Sequence, residues 1–208
     1  MKKVILLYNP KAVFFDMPLA LLAIGSVIDQ NKYDVIIVDG RIEKKPLSIL
    51  KKHIDKAVCF GITVLTGSPI RDALTITRAV KKEKKDLPVV WGGWHTSLFP
   101  EQTLMDEKDI DITVQGQGEE TFKELVKKIT NKESLSTVKG ICYRNEKGDI
   151  IKNPPRTIVP MDQYSDIDYG LIDVEKYFEK KGKRQLDYIS STGCYFRCSF
   201  CADPFVYN

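Results

Sequence analysis

Short, unbroken runs of Val, Ile and Leu alternate along much of the chain with stretches in which apolar residues recur every third or fourth position. The runs predict strands over 4–8, 34–38, 57–64, 89–91 and 110–114, and the longer period predicts helices over 18–30, 47–54, 70–84, 100–105 and 119–129. Strands without polar alternation are buried on both faces, the mark of a parallel sheet covered by helices. After residue 132 the pattern changes. Residues 140–144 and 149–152 read as a β-hairpin whose turn, Asn145-Glu146-Lys147-Gly148, ends on a residue able to take positive φ. Pro154, Pro155 and Pro160, with Asp162, Asp166, Asp168 and Asp173, then make an extended acidic linker. A short helix over 174–179, a basic run at 180–184 and a last strand over 186–190 follow.

Five βα units in succession predict an α/β domain with a doubly wound, mainly parallel five-stranded sheet of flavodoxin-like, Rossmann-like form. The expected organisation is this sheet at 1–132, the hairpin and linker at 133–184, and the opening of a further unit at 185–208. The 208 residues are 43% hydrophobic and 29% charged, which excludes disordered and fibrous classes. No apolar run approaches the roughly 20 residues of a membrane span, and Met1-Lys2-Lys3 leads directly into a strand, so neither a membrane segment nor a signal peptide is expected. The balance of 32 basic against 28 acidic residues argues against a dedicated nucleic-acid binder, and the basic run reads as a solvated loop. Of five cysteines, Cys59 and Cys142 sit in apolar strand-like runs and read as core, whereas Cys194, Cys198 and Cys201 cluster near the C-terminus. An odd, clustered set is not a secreted disulfide framework and implies a reducing, cytoplasmic setting.

Ligands of an open parallel sheet collect at the carboxyl ends of its strands. After the first strand, Asn9-Pro10-Lys11-Ala12-Val13-Phe14-Phe15 offers apolar bulk and no glycine, which disfavours a phosphate cradle. Gly116-Gln117-Gly118-Glu119-Glu120 is a poor nucleotide motif, because two carboxylates at a helix N-terminus would repel a pyrophosphate. What remains is a platform of small and hydroxyl residues: Thr63, Thr66, Gly67 and Ser68, then Gly92 and Gly93, then Gly116 and Gly118. Glycine at neighbouring strand ends admits a large flat ligand close to the backbone, although each glycine could also serve a turn.

This set resembles cobalamin-binding domains: Thr63-Val64-Leu65 is similar to their Ser-x-Leu element and Gly92-Gly93 to their double glycine beside the nucleotide tail. The stretch from Gly92 through His95 to Glu101, with Gly116 to Phe122, resembles more closely the cobalamin domains that precede radical S-adenosylmethionine (SAM) enzymes. The resemblance implies cobalamin contacts from Thr63, Leu65, Thr66, Ser68, Gly92, Gly93, His95, Gly116, Gly118 and Glu119. Carrier-type relatives place Asp-x-His-x-x-Gly after the first strand. Here the two histidines, His53 and His95, lie elsewhere, so cobalt is expected to lack a histidine ligand from the protein; His53 reads as a surface helix residue.

Cys194, Cys198 and Cys201 have the spacing to turn three thiolates toward one centre from a single loop. Three thiolates leave one iron of a 4Fe-4S cluster open; structural zinc would need a fourth ligand, and no histidine is near. The motif resembles the Cys-x3-Cys-x2-Cys signature of radical SAM enzymes, which implies SAM chelation at the open iron, with Phe200 packed near the adenine. Family members combine the resulting radical with cobalamin for methyl transfer, rearrangement or ring formation on substrates that this sequence does not name. Only seven residues follow Cys201, so the expectation is the N-terminal portion of such an enzyme, competent for cobalamin but without radical turnover alone, its cysteine loop mobile or misplaced. The competing expectation is a stand-alone cobalamin carrier or sensor with metal- or redox-responsive terminal cysteines.

Overall fold

The structure is a computed structural model that describes residues 2–164 and 166–207. Seven strands appear among these residues: β1 (Lys3–Asn9), β2 (Tyr33–Asp39), β3 (Ala57–Thr63), β4 (Val89–Gly92), β5 (Ile112–Val114), β6 (Ile141–Arg144) and β7 (Ile150–Lys152). They form one sheet in the order β2-β1-β3-β4-β5-β6-β7. The first five pair in parallel, as the unbroken apolar runs require. The hairpin does not stand apart from the sheet as the sequence pattern suggested. Its first strand pairs antiparallel with β5, Ile112 opposite Tyr143 and Val114 opposite Ile141, and so covers backbone groups that an edge would leave unpaired.

Helices α1 (Leu19–Ser26), α2 (Pro46–Lys51), α3 (Pro69–Glu83), α4 (Trp94–Leu98), α5 (Pro100–Asp106), α6 (Glu119–Asn131), α7 (Val174–Lys181) and α8 (Asp203–Tyr207) complete the fold. Because side chains alternate along a strand, β1 feeds both faces of the sheet. Leu6 and Tyr8 join Phe60, Ile62 and Trp91 on one face, beneath α3. Ile5 and Leu7 join Cys59, Val90 and Ile112 on the other, beneath α1 and α6. In α3 the buried positions Ala73, Ile76, Thr77 and Val80 follow helical spacing, and Thr77 Oγ1 accepts the Trp91 indole N–H at 2.9 Å. Each fully buried side chain of Leu or Ile size contributes about 1.5–3 kcal/mol. Cys59 and Cys142 are core residues; burial pushes the Cys59 thiol up to about 12.

Three local expectations are corrected. The first helix ends at Ser26 rather than running to residue 30. His53 lies half-buried in the turn between α2 and a 3-10 turn at Ile54–Lys56, not on a helix surface. Residues 186–190 pair with none of the seven strands, and without a neighbour to take its N–H and C=O groups an apolar run makes no ladder. Among the described residues no helix is long and apolar enough to cross a membrane.

The linker folds back to the sheet through α7. Tyr177, 3% exposed, donates its hydroxyl to Asp39 Oδ2 at 2.7 Å. The same oxygen accepts from Asn9 Nδ2 at 3.0 Å, and Oδ1 accepts the Arg41 backbone N–H at 2.8 Å. Burial raises the Asp39 carboxyl above its ordinary range, against these hydrogen bonds, which lower it. The native protein thus holds that proton more tightly than the unfolded chain. Stability is therefore expected to fall as pH rises from the ordinary carboxylate range through the raised value. In urea unfolding across pH, Asp39→Asn should flatten that slope, and Tyr177→Phe should cost about 1.5–3 kcal/mol at neutral pH.

Candidate ligand-binding site

A cavity of about 380 Å³ opens at the carboxyl ends of β1, β3, β4 and β5. Parallel pairing brings these ends to one edge, and each following loop contributes one part of the wall. The loop after β1 supplies Asn9, Phe14 and Met17; the turn after β3 supplies Thr63 and Leu65. Gly92, Trp94 and Ser97 come from β4 and α4, and Gly116, Gly118 and Glu119 from the turn into α6. Ile189, Thr192, Val206 and Tyr207 close it from the C-terminal segment. The Trp94 and Tyr207 rings meet edge to face at 5.5 Å.

The strand ends are fixed to one another by short hydrogen bonds. Val64 N–H donates to Gly92 O at 2.8 Å and His95 N–H to Val64 O at 3.0 Å. Ser97 Oγ donates to Gly93 O at 2.8 Å and accepts the Gly116 N–H at 3.0 Å, linking the turns after β4 and β5. Gln117 pairs twice with the Val159 backbone, both at 2.8 Å, and so anchors the linker beside the cavity. Arg41 lies over the Phe14 ring at 4.3 Å and steadies the loop after β1.

The two adjacent glycines have different roles. Gly93 has φ of 94°, and a Cβ there would stand 2.9 Å from both Val64 N and Val64 O, so the fold itself demands glycine. Gly92 has no such constraint: its φ is not left-handed, and a Cβ would meet only Val114 Cβ at 4.0 Å. Its missing side chain leaves open floor in the cavity.

Of the residues expected at the site, Thr63, Leu65, Gly92, Gly93, Gly116, Gly118 and Glu119 line the cavity. Thr66, Ser68, His95 and Phe200 do not. Thr66 Oγ1 instead lies 3.3 Å from His95 Nδ1 on the flank, where burial lowers the imidazole pKa and favours its neutral form. Phe200 is 91% exposed. Burial raises the Glu119 carboxyl, which faces the cavity from the first turn of α6. Cys194 and Cys198 are exposed and Cys201 is half-buried. Among the described residues no three His, Cys, Asp or Glu side chains form a group able to hold a metal ion. Sequence reasoning missed Ser97, Gln117, Asp39 and Arg41; the placement of Ser97 four residues past the double glycine and of Gln117 between Gly116 and Gly118 offered a signal, and Asp39 and Arg41 had none.

Residues 11–126 match the family model described as B12 binding domain. The chain belongs to the B12-binding domain family. Over 194 residues this B12-binding chain is 34% identical to an uncharacterised methyltransferase of Pyrococcus horikoshii, covering 92% of the chain and 41% of the relative. Over 189 residues it is 28% identical to the anaerobic magnesium-protoporphyrin IX monomethyl ester cyclase of Synechocystis, covering 88% and 37%. It therefore spans well under half the length of these curated relatives. The fold is shared with the radical SAM methyltransferase TsrM of Kitasatospora setae, solved with cobalamin and a 4Fe-4S cluster (TM-score 0.74, 19% identity, 100% of this chain and 42% of that one). It is shared also with the cobalamin-dependent SAM radical enzyme OxsB, solved with aqua-cobalamin and SAM (TM-score 0.75, 24% identity, 96% and 28%). The resemblance to cobalamin-dependent radical SAM proteins drawn from the sequence is borne out by these matches.

The chemistry of the lining suits the face of a corrin ring: the wall is largely apolar, and Gly92 leaves the floor without a side chain. As placed, the Cys194, Cys198 and Cys201 side chains do not meet at one metal centre. The glycine assignment is checked by thermal unfolding. Gly93→Ala is expected to destabilise by about 2 kcal/mol or more, through left-handed strain and backbone collision, whereas Gly92→Ala should stay within about 0.5 kcal/mol of the parent.

Proposed function

We propose that this chain holds cobalamin across the carboxyl ends of β1, β3, β4 and β5, as the cofactor-binding portion of a radical SAM enzyme of methyl-transfer or rearrangement type. The observation that carries the reading is the open floor at Gly92, within an apolar cavity and inside the residues that match the B12-binding family. Bound cobalamin supplies a cobalt centre able to carry a methyl group. The chain's own residues hold and shield it. Gly92 lets a flat ring lie against β4, and Ser97 keeps the flanking turns in register. Phe14, Met17, Trp94 and Ile189 exclude water from the faces of the cavity. No histidine lines it, and in this reading cobalt takes no imidazole from His53 or His95.

We assign Cys194, Cys198 and Cys201 to a 4Fe-4S cluster that would also take SAM, supported by their spacing and by what the structural neighbours are described as binding. The three do not form a metal-holding group among the described residues, and the chemistry assigned to the cavity stops at holding cobalamin. The outward-facing Cys194 and Cys198 favour a second reading, a cobalamin carrier or sensor whose terminal cysteines respond to metal or redox state. Iron and sulfide content after anaerobic reconstitution separates the two: a full complement of irons per chain supports the first reading, none supports the second.

Titration with hydroxocobalamin tests the central assignment. The purified chain should retain the corrin absorbance after gel filtration, and Gly92→Val should weaken retention at least about ten-fold while leaving the unfolding temperature near that of the parent. His53→Ala and His95→Ala should leave the bound spectrum unchanged. A spectral shift in either histidine variant would show an imidazole on cobalt and overturn the account of the lower face.

A further inference from the structure

The loop that forms one lip of the cavity is tied to the cysteine-bearing segment through a single carboxylate. Asp187 Oδ2 accepts the Met17 backbone N–H at 2.6 Å and the Lys181 ammonium at 2.5 Å. The Lys181 and Asp187 side chains are only 9% and 17% exposed, so solvent screens the pair weakly and the hydrogen bond to Met17 is charge-assisted. Met17, 3% exposed, lines the cavity directly before Pro18 and α1. Two residues beyond Asp187 the segment enters the cavity wall at Ile189, and then again at Thr192, before reaching Cys194. The Asp187 carbonyl also accepts the Tyr169 hydroxyl, which attaches the linker to the same point.

This stretch has no ladder to hold its register, since residues 186–190 pair with no strand. The Asp187 contacts therefore carry what strand pairing would otherwise supply. We propose that Asp187 is a positioning residue: it locks the cavity lip at Met17 to the segment that leads to the cysteines, so that a ligand held under Met17 faces that segment in one fixed register. The consequence for the ligand rests on the cobalamin reading; the lock itself does not. Lys181, delivered by the last turn of α7, pairs with the carboxylate and holds it aimed at Met17. The lock thus also joins the lip to the helix that Tyr177 seats on Asp39.

Hydrogen exchange of the intact chain, with and without hydroxocobalamin, tests this. Asp187→Ala should speed exchange at least about ten-fold over both 14–19 and 186–193, with β1, β3 and β4 unchanged, and should weaken hydroxocobalamin binding about ten-fold. Asp187→Asn keeps an amide oxygen able to accept the Met17 N–H and should restore protection at Met17. Lys181→Met removes the ammonium with its hydrogen bonds to Asp187 and Gln185 but leaves the Met17 contact, and should loosen 186–193 more than 14–19. The proposal is overturned if Asp187→Ala leaves Met17 exchange at the parent rate, or if only one of the two segments loosens. Should the parent fail to take up hydroxocobalamin, the cobalamin reading falls, and the exchange rates still decide whether the lock exists.

Discussion

Parallel pairing of β1 with both β2 and β3 governs everything that follows in this molecule. β1 is hydrogen-bonded along both edges to partners that run in the same direction, and helices cover both its faces, so it is buried beyond Lys3. Every loop that could carry chemistry is then delivered to one edge. The chain order also turns at β1, with β2 on one side and β3 on the other, and such reversals leave a crevice between the diverging loops. The cavity spans from that crevice across β4 to β5. Its floor is backbone because Gly92 ends β4 without a side chain, and its walls are apolar because the loops carry Phe14, Met17, Leu65 and Trp94.

A cavity of this kind needs its rim fixed, since loops of different elements share no ladder. The rim is fixed by a few buried and part-buried polar contacts. Asp39 binds Asn9, the Arg41 backbone and Tyr177, which joins the ends of β1 and β2 to α7. Ser97 joins the turns after β4 and β5, and Gln117 attaches the linker at Val159. Asp187 joins Met17 to the C-terminal segment. Each contact spends a polar group that burial would otherwise make costly, so losing one partner penalises the other. The cavity rim is thus held in one arrangement, with Glu119 and Asp16 as the acidic groups on its wall.

How much of this was legible in the sequence follows from the range of each interaction. Strands and helices read well because the apolar periods of 4–8, 57–64 and 70–84 are local, and glycines at strand ends pointed to the edge where the cavity lies. That the hairpin extends the sheet was not legible: which edge a strand joins is decided by what lies uncovered in the folded state, not by its own pattern. Gly92 and Gly93 were read alike because sequence cannot separate a glycine demanded by positive φ from one that leaves room. Leu186 to Ser190 carries strand composition, yet composition provides no neighbour. The Met17–Asp187 and Asp39–Tyr177 contacts join residues far apart in the chain and between loops, where no periodicity exists to report them.

The account stands most directly on where a corrin sits. A crystal structure of the chain grown with hydroxocobalamin should show the ring lying against Gly92, between the loops after β1 and β5, with no side-chain nitrogen of the protein on cobalt. A corrin bound away from Gly92, or one whose cobalt is ligated by His95, would contradict it.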